Sequence, residues 1–280
     1  MKTITVLGAG TMGHGIAHAA IAGGYDTRMY DVADGAVEKG RAAIEQIVKK
    51  GVELGKTTAA DADGMLARLS VTTDLAAALG GTELVIEAAP ERIDLKLRLF
   101  EQIERLAPPG AIVASNTSAL SITEMAGSLN DPGRVAGMHF FNPVHKMKLI
   151  EIVRALESRP ATLEAIEDVS RRMGKETVLV RESPGFITTR VNASIGNEAF
   201  YMLMEGVASA RDIDKALKLG LNHPMGPFEL VDLVGLDTRL SILEYLHRSL
   251  GEKYRPCPLL AQYVKAGRLG RKAGKGVYEY

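Results

Sequence analysis

Short apolar runs alternate with longer stretches of helical period through the first two-thirds of the chain. The runs fall at 4–7, 27–30, 84–88, 111–114, 135–139, 149–153 and 177–180. Between them lie amphipathic segments such as 93–106, where Leu95, Leu99, Ile103 and Leu106 recur at helical spacing and the charges face away. Runs separated by helices in this way predict six or seven strands of a doubly wound parallel sheet with crossover helices. Residues 59–64 read as a small-residue loop entering another helix.

The pattern changes at Glu182-Ser183-Pro184-Gly185, where proline and glycine interrupt the alternation. From there the chain reads as helices over 187–205, 210–219, 227–250 and 259–266, divided by the cluster Asn222-His223-Pro224-Met225-Gly226-Pro227. The expected fold is α/β: a Rossmann-type, doubly wound domain over 1–183, followed by a smaller all-α domain over 184–280. The long apolar faces of those helices suit closure of a substrate cleft and contact with a second copy, so a homodimer is expected. Neither an internal repeat nor a low-complexity tract appears.

Composition narrows the functional classes. The chain has 280 residues, 46% of them hydrophobic, enough for well-buried cores, and its 34 basic and 34 acidic residues cancel. No global field then favours nucleic acid, and an anionic ligand must be held by local charge. The single cysteine, Cys257, sits in Arg-Pro-Cys-Pro with no histidine near it in sequence, and reads as a small turn residue in a reducing compartment. Met1 and Lys2 lead directly into the first strand, and no apolar stretch approaches a membrane span. The expectation is a cytoplasmic protein that is neither cleaved nor membrane-bound.

The first candidate chemistry is Gly8-Ala9-Gly10-Thr11-Met12-Gly13, preceded by a strand and followed by the helical pattern of Ile16, Ala17, Ala20 and Ile21. Glycines at this spacing supply a tight turn, close backbone approach to a pyrophosphate and close packing of helix on strand. The helix start then holds the diphosphate. Asp31 closes the next strand, where its carboxylate can accept from both hydroxyls of an adenosine ribose and repels a 2'-phosphate. NAD is therefore expected over NADP. Arg28 lies within the strand, short of the place a phosphate-binding arginine occupies. His14 and His18 share a helix face four residues apart, but no third ligand accompanies them, so they read as packing histidines and no metal site is expected.

For proton chemistry, His139 ends the strand in Met138-His139-Phe140-Phe141-Asn142-Pro143, at the edge of the sheet where ligands of such folds sit. Glu151 lies between aliphatic residues in Leu149-Ile150-Glu151-Ile152-Val153 and needs a partner if buried. The two can form a base and its orienting carboxylate, or a satisfied core histidine and a strand-edge glutamate. His145 competes as the base, though Lys146 and Lys148 place it in an exposed turn. The run Ser115-Asn116-Thr117-Ser118 follows another strand, and its hydroxyls suit either a substrate oxygen or helix capping.

Together with Glu87-Ala88-Ala89-Pro90-Glu91, Pro184-Gly185-Phe186, His223-Pro224-Met225-Gly226-Pro227 and Gly274-Lys275-Gly276-Val277-Tyr278, these motifs span the chain, and the whole resembles the 3-hydroxyacyl-CoA dehydrogenase family. The resemblance implies reversible NAD-dependent oxidation of an L-3-hydroxyacyl-CoA of short chain, such as 3-hydroxybutyryl-CoA, with His139 as base, Glu151 orienting it and Ser118 touching substrate and nicotinamide. It also implies that Gly8, Gly10, Thr11, Met12, Gly13, Asp31, Glu91, Lys96, Ser118, Asn142 and Lys272 serve the NAD site. Lys49, Lys50 and Lys56 lie where the family meets the CoA nucleotide. One position departs from the pattern: in Pro184-Gly185-Phe186-Ile187-Thr188-Thr189-Arg190, Thr189 stands where many members carry a catalytic asparagine, and Asn192 lies three residues on. A dehydrogenase of a free hydroxy or sugar acid, and a catalytically silent NAD-binding protein, are the alternative readings.

Overall fold

Residues 1–183 form an eight-stranded sheet with helices between the strands. The computed structural model describes all 280 residues and falls into two compact units, Met1–Ser183 and Pro184–Tyr280. The first runs β1 (Thr3–Leu7), α1 (Thr11–Ala22), β2 (Asp26–Tyr30), α2 (Asp34–Glu53), α3 (Ala59–Ala67), β3 (Leu69–Thr72), α4 (Leu75–Leu79) and β4 (Leu84–Glu87). It continues with α5 (Ile93–Leu106), β5 (Ile112–Ser115), α6 (Ile122–Ala126), β6 (Val135–Phe140), β7 (Leu149–Arg154), α7 (Pro160–Arg172) and β8 (Glu176–Arg181). The strand order is β3-β2-β1-β4-β5-β6-β7-β8. Every residue of β4 and β6 is buried, as expected for strands covered on both faces.

The structure departs from the sequence pattern at several points. The sheet has an eighth strand, β3, which pairs with β2 at the edge; its four residues are too few to register as an apolar run. The sheet is not wholly parallel, because β7 runs antiparallel to β6. Their eight-residue connection, 141–148, is too short for a crossover and can only turn the chain back. Residues 59–64 are not a loop but most of α3, started by Thr58, whose side chain accepts from Asp61 N at 3.1 Å.

The stripe on α5 also differs. Its buried residues are Lys96, Phe100 and Ile103, whereas Leu106 is exposed, and Leu95 and Leu99 line a cavity at the sheet edge. One charge thus faces inward.

The second unit contains α8 (Thr188–Met204), α9 (Ala210–Gly220), α10 (Pro227–Val234), α11 (Leu236–Leu250) and α12 (Pro258–Lys265). The helix expected over 227–250 is two helices, broken at Gly235 with φ of +106°. Phe200 anchors the core, edge-on to Phe228 and Tyr263 at 5.2 and 5.9 Å. Buried carboxylates tie the helices to their connections: Asp214 accepts from Phe228 N, Glu229 N and Tyr278 OH, and Asp232 from Val277 N, Tyr278 N and Tyr280 OH. Cys257 is fully buried with its Sγ 3.9 Å from Met204 Sδ, and burial pushes its thiol up, which fits packing and not nucleophilic chemistry.

Candidate active site

The glycine turn after β1 is built by mutual exclusion. Gly8 adopts φ of +109°, and a Cβ on Gly13 would lie 1.7 Å from Gly8 O, so helix and turn can meet only without side chains at both positions. A Cβ on Gly10, by contrast, would meet no protein atom within 4 Å, because Gly10 faces a cavity of about 710 Å³. Met12 packs on the core, while Thr11 and Met12 line the same cavity. The open backbone sits at the start of α1, between β1 and its neighbours β2 and β4 where the strand order switches direction.

Asp31 also lines this cavity, and its Oδ2 accepts from Ala9 N at 2.8 Å. The turn therefore fixes the carboxylate expected to meet the ribose. Arg28 is spent elsewhere, donating to the backbone carbonyls of Ala78 and Gly80. The start of α1, whose first-turn amides have no acceptor within the helix, the space at Gly10 and the anchored acid fit the phosphates and ribose of a dinucleotide.

Beside the turn, at the carboxyl end of β4, the sheet holds a charged network that the sequence reading did not foresee. Glu87 is fully buried and pairs with Lys96, itself 1% exposed, at 2.6 Å. Ser115 donates to the other Glu87 oxygen, and Ala89 N donates to the first at 2.6 Å. Lys96 donates also to Ala89 O at 3.2 Å and lies 3.5 Å from Glu91. Glu91 in turn accepts from Thr117 Oγ1, from Ser118 N at 2.9 Å and from Ser118 Oγ at 3.3 Å. Thus Lys96, Glu91 and Ser118 are brought together, with the lysine inside the network and Ser118 at its half-exposed end. A carboxylate closing the apolar run Leu84-Val85-Ile86, and a lysine in register with Phe100 and Ile103 on a buried helix face, were the available signals.

Two strands over, β6 and β7 place His139 and Glu151 directly opposite each other in the ladder. His139 Nδ1 and Glu151 Oε2 are 2.7 Å apart, with the histidine 6% exposed and the glutamate fully buried. A carboxylate at Nδ1 favours the tautomer with a proton there and leaves proton exchange to Nε2. The Phe141 ring packs 4.5 Å from the imidazole, centroid to centroid. Asn116 Oδ1 accepts from Phe140 N at 2.9 Å, which ties the loop bearing Ser118 to the end of the histidine strand.

The remaining candidates are more dispersed. His145 is exposed, as are Asn142, Lys49, Lys50 and Lys56, and Lys50 pairs with Glu53 at 3.4 Å. His18 packs edge-on to His145 at 6.4 Å, and burial, reinforced by His145, Lys175 and His14, holds its pKa down at about 4. His14 lies against Gly10 O at 2.9 Å, and no group of three or more His, Cys, Asp or Glu is placed to hold a metal ion. In the second unit Thr189 and Asn192 are half-buried on α8, and Lys272 pairs with Asp237 at 2.7 Å. Arg98 and Gln102, absent from the sequence reading, line the cavity with Asp31.

Similarity to known proteins extends over the full length of the chain. The chain is 47% identical to a Bacillus subtilis protein named "Probable 3-hydroxybutyryl-CoA dehydrogenase", covering all of this chain and 98% of that one. It is 43% identical to the 3-hydroxybutyryl-CoA dehydrogenase of Bradyrhizobium diazoefficiens, over all of this chain and 96% of the other. Among solved structures, (S)-3-hydroxybutyryl-CoA dehydrogenase from Ralstonia eutropha superposes with a TM-score of 0.96 at 43% identity, covering 100% of this chain and 99% of that one. Residues 3–183 match the 3-hydroxyacyl-CoA dehydrogenase NAD binding domain and residues 185–280 the C-terminal domain of the same family, so the chain belongs to the 3-hydroxyacyl-CoA dehydrogenases, NAD-dependent oxidoreductases acting on a CH–OH group.

Proposed function

We propose that this protein oxidises a short-chain L-3-hydroxyacyl-CoA, such as 3-hydroxybutyryl-CoA, reversibly to the 3-ketoacyl-CoA. The observation that carries the reading is the in-register, buried His139–Glu151 pair at 2.7 Å. His139 accepts the 3-hydroxyl proton at Nε2 while Glu151 holds the ring and stabilises the imidazolium that results. Ser118, at the end of the Glu91 network, donates to the reacting oxygen. Bound NAD supplies the hydride acceptor, held by the backbone of Gly8, Gly10, Thr11, Met12 and Gly13, by Asp31, and by Glu91, Lys96, Asn142 and Lys272. In the reverse direction, protonated His139 returns the proton to the carbonyl oxygen. Thr189 orients the substrate with a shorter reach than the asparagine it replaces, and Lys50 and Lys56 meet the CoA phosphates.

No helix of the protein is long and apolar enough to cross a membrane; we place the enzyme in the cytoplasm. The helical unit exposes Val207 at 64%, Leu219 at 77% and Leu221 at 66%, and a second copy of the chain covers this apolar surface. Light scattering at twice the monomer mass is the expected result.

The decisive assay follows NADH oxidation with acetoacetyl-CoA beside free acetoacetate. Turnover of the thioester at least a hundredfold faster supports the reading. Equal rates point to a dehydrogenase of free acids, and tight NADH binding without turnover to a silent binding protein.

A further inference from the structure

One face of α5 lines the same cavity as Asp31. Leu95, Arg98, Leu99 and Gln102 all line it, at spacings of three and four that put them on a single side of the helix. The β2 wall beyond Asp31 is Val32, 82% exposed and therefore an apolar side chain with little of its own to pack on. Between these walls the cavity offers two formal charges, the Asp31 carboxylate and the Arg98 guanidinium.

Arg98 is an exposed cation, 61% accessible along its side chain, with one partner on its own helix. Its Nη2 donates to Asp94 Oδ2 at 3.2 Å, one turn earlier on the same helix, and Asp94 is held also by Arg92 at 2.6 Å. These hydrogen bonds, with that of Arg92 dominant, keep the Asp94 carboxyl below its ordinary range, so it remains an anion. An acceptor of this kind meets a guanidinium along its edge, in the plane of the group. It offsets the charge and fixes the orientation but leaves the flat face uncovered. An edge-tethered guanidinium is suited to lie on an aromatic ring and poorly suited to compete for a phosphate.

Resting on the assignment of this cavity to NAD, we propose that Arg98 stacks its guanidinium on the adenine of the dinucleotide, against Leu95 and Leu99, with Val32 as the opposing wall. Arg98 thereby determines affinity at the adenosine end. Asp31 reads the ribose, Arg98 the base, and the chemistry at His139 is untouched. Gln102, one turn beyond Arg98, is placed to meet the edge of the ring.

Equilibrium binding measured by ligand fluorescence, with NADH and with reduced nicotinamide mononucleotide, which lacks the adenosine half, tests the proposal on wild type, Arg98→Ala and Arg98→Lys. For an exposed cation on an aromatic face, Arg98→Ala is expected to weaken NADH about three- to tenfold and leave the mononucleotide within twofold of wild type. Arg98→Lys, which keeps the charge and loses the plane, is expected to recover less than half of that loss on a logarithmic scale. Three results overturn the assignment: unchanged NADH affinity in Arg98→Ala, an equal loss for both ligands, or full rescue by lysine, which would mean plain charge attraction. Wild type that fails to bind NADH at all overturns the cofactor reading itself, a result distinct from any of these three.

Discussion

The two units bury charge in opposite ways. In the first, the deepest cation, Lys96, lies against a buried carboxylate, and both continue through hydrogen bonds into Ser115, Glu91, Thr117 and Ser118. In the second, Arg239 is equally deep at 2% exposure, yet its Nε has no hydrogen-bond partner and burial alone pulls its pKa down to about 10. The buried acids of that unit, Asp214 and Asp232, are satisfied by backbone amides and tyrosine hydroxyls instead. Paired charge at the carboxyl edge of the sheet organises a site, and the helical unit uses its acids to fasten connections. This contrast implies that removing one partner hurts in the first unit, whereas removing the unpaired charge helps in the second.

The largest expected effect belongs to the proposed base. His139→Gln should lower kcat roughly a thousandfold, near 4 kcal/mol in the barrier, and leave NADH affinity within twofold. Steady-state kinetics beside a fluorescence titration checks this, and near-normal turnover would remove His139 from the mechanism. Lys96→Met comes next, with a loss of about 3 to 4 kcal/mol in urea unfolding because Glu87 is left buried and uncompensated. The double change Lys96→Met, Glu87→Gln should recover most of that loss.

A titration belongs between these and the smaller effects. The folded pKa of His18, about 4, lies below the 6.5 of an unfolded histidine, so the unfolded chain binds the extra proton more readily. Stability is then complete above pH 6.5 and lost as the pH falls toward 4, by roughly 3 kcal/mol in total from this group. His18→Gln should flatten that part of the profile; an unaltered slope would assign the acid lability elsewhere.

Arg239→Met should stabilise the protein by about 1 to 2 kcal/mol, since a well-packed apolar chain replaces an unpaired charge, and a drop in melting temperature would mean that the buried Arg239 contributes to stability. The smallest effect is expected at Thr189→Ala, a roughly threefold fall in kcat/KM from the loss of one hydrogen bond. An indistinguishable variant would mean that the position does nothing.

The sequence revealed what depends on local pattern. The central strands, the glycine turn and Asp31 follow from periodicity and spacing within some thirty residues, and His139 and Glu151 stood out as polar residues in apolar runs. What escaped was long-range. β3 is too short to carry a period, and the reversal of β7 depends on loop length, not on strand composition. Only the family resemblance singled out Lys96, and its burial was not legible, because its partner comes from another element and the helix face it shares with Phe100 and Ile103 is decided by the sheet beneath. Arg98 was invisible for the same reason: only the assembled fold shows which side of α5 lines the cavity with Asp31.

The pairing of β6 with β7 has a consequence for how such an enzyme can change. Register in a sheet is discrete, and a slip of one residue would send Glu151 to the opposite face. The separation of His139 and Glu151 is therefore set by ladder hydrogen bonds and not by the shape of residues 141–148, which join the two strands. Exchange of exposed positions in that connection, such as His145 or Lys146, should leave the dyad at the same spacing. In engineering terms the strand pair is a fixed chassis, and exposed positions such as His145 and Lys146 are open to diversification without moving His139 relative to Glu151.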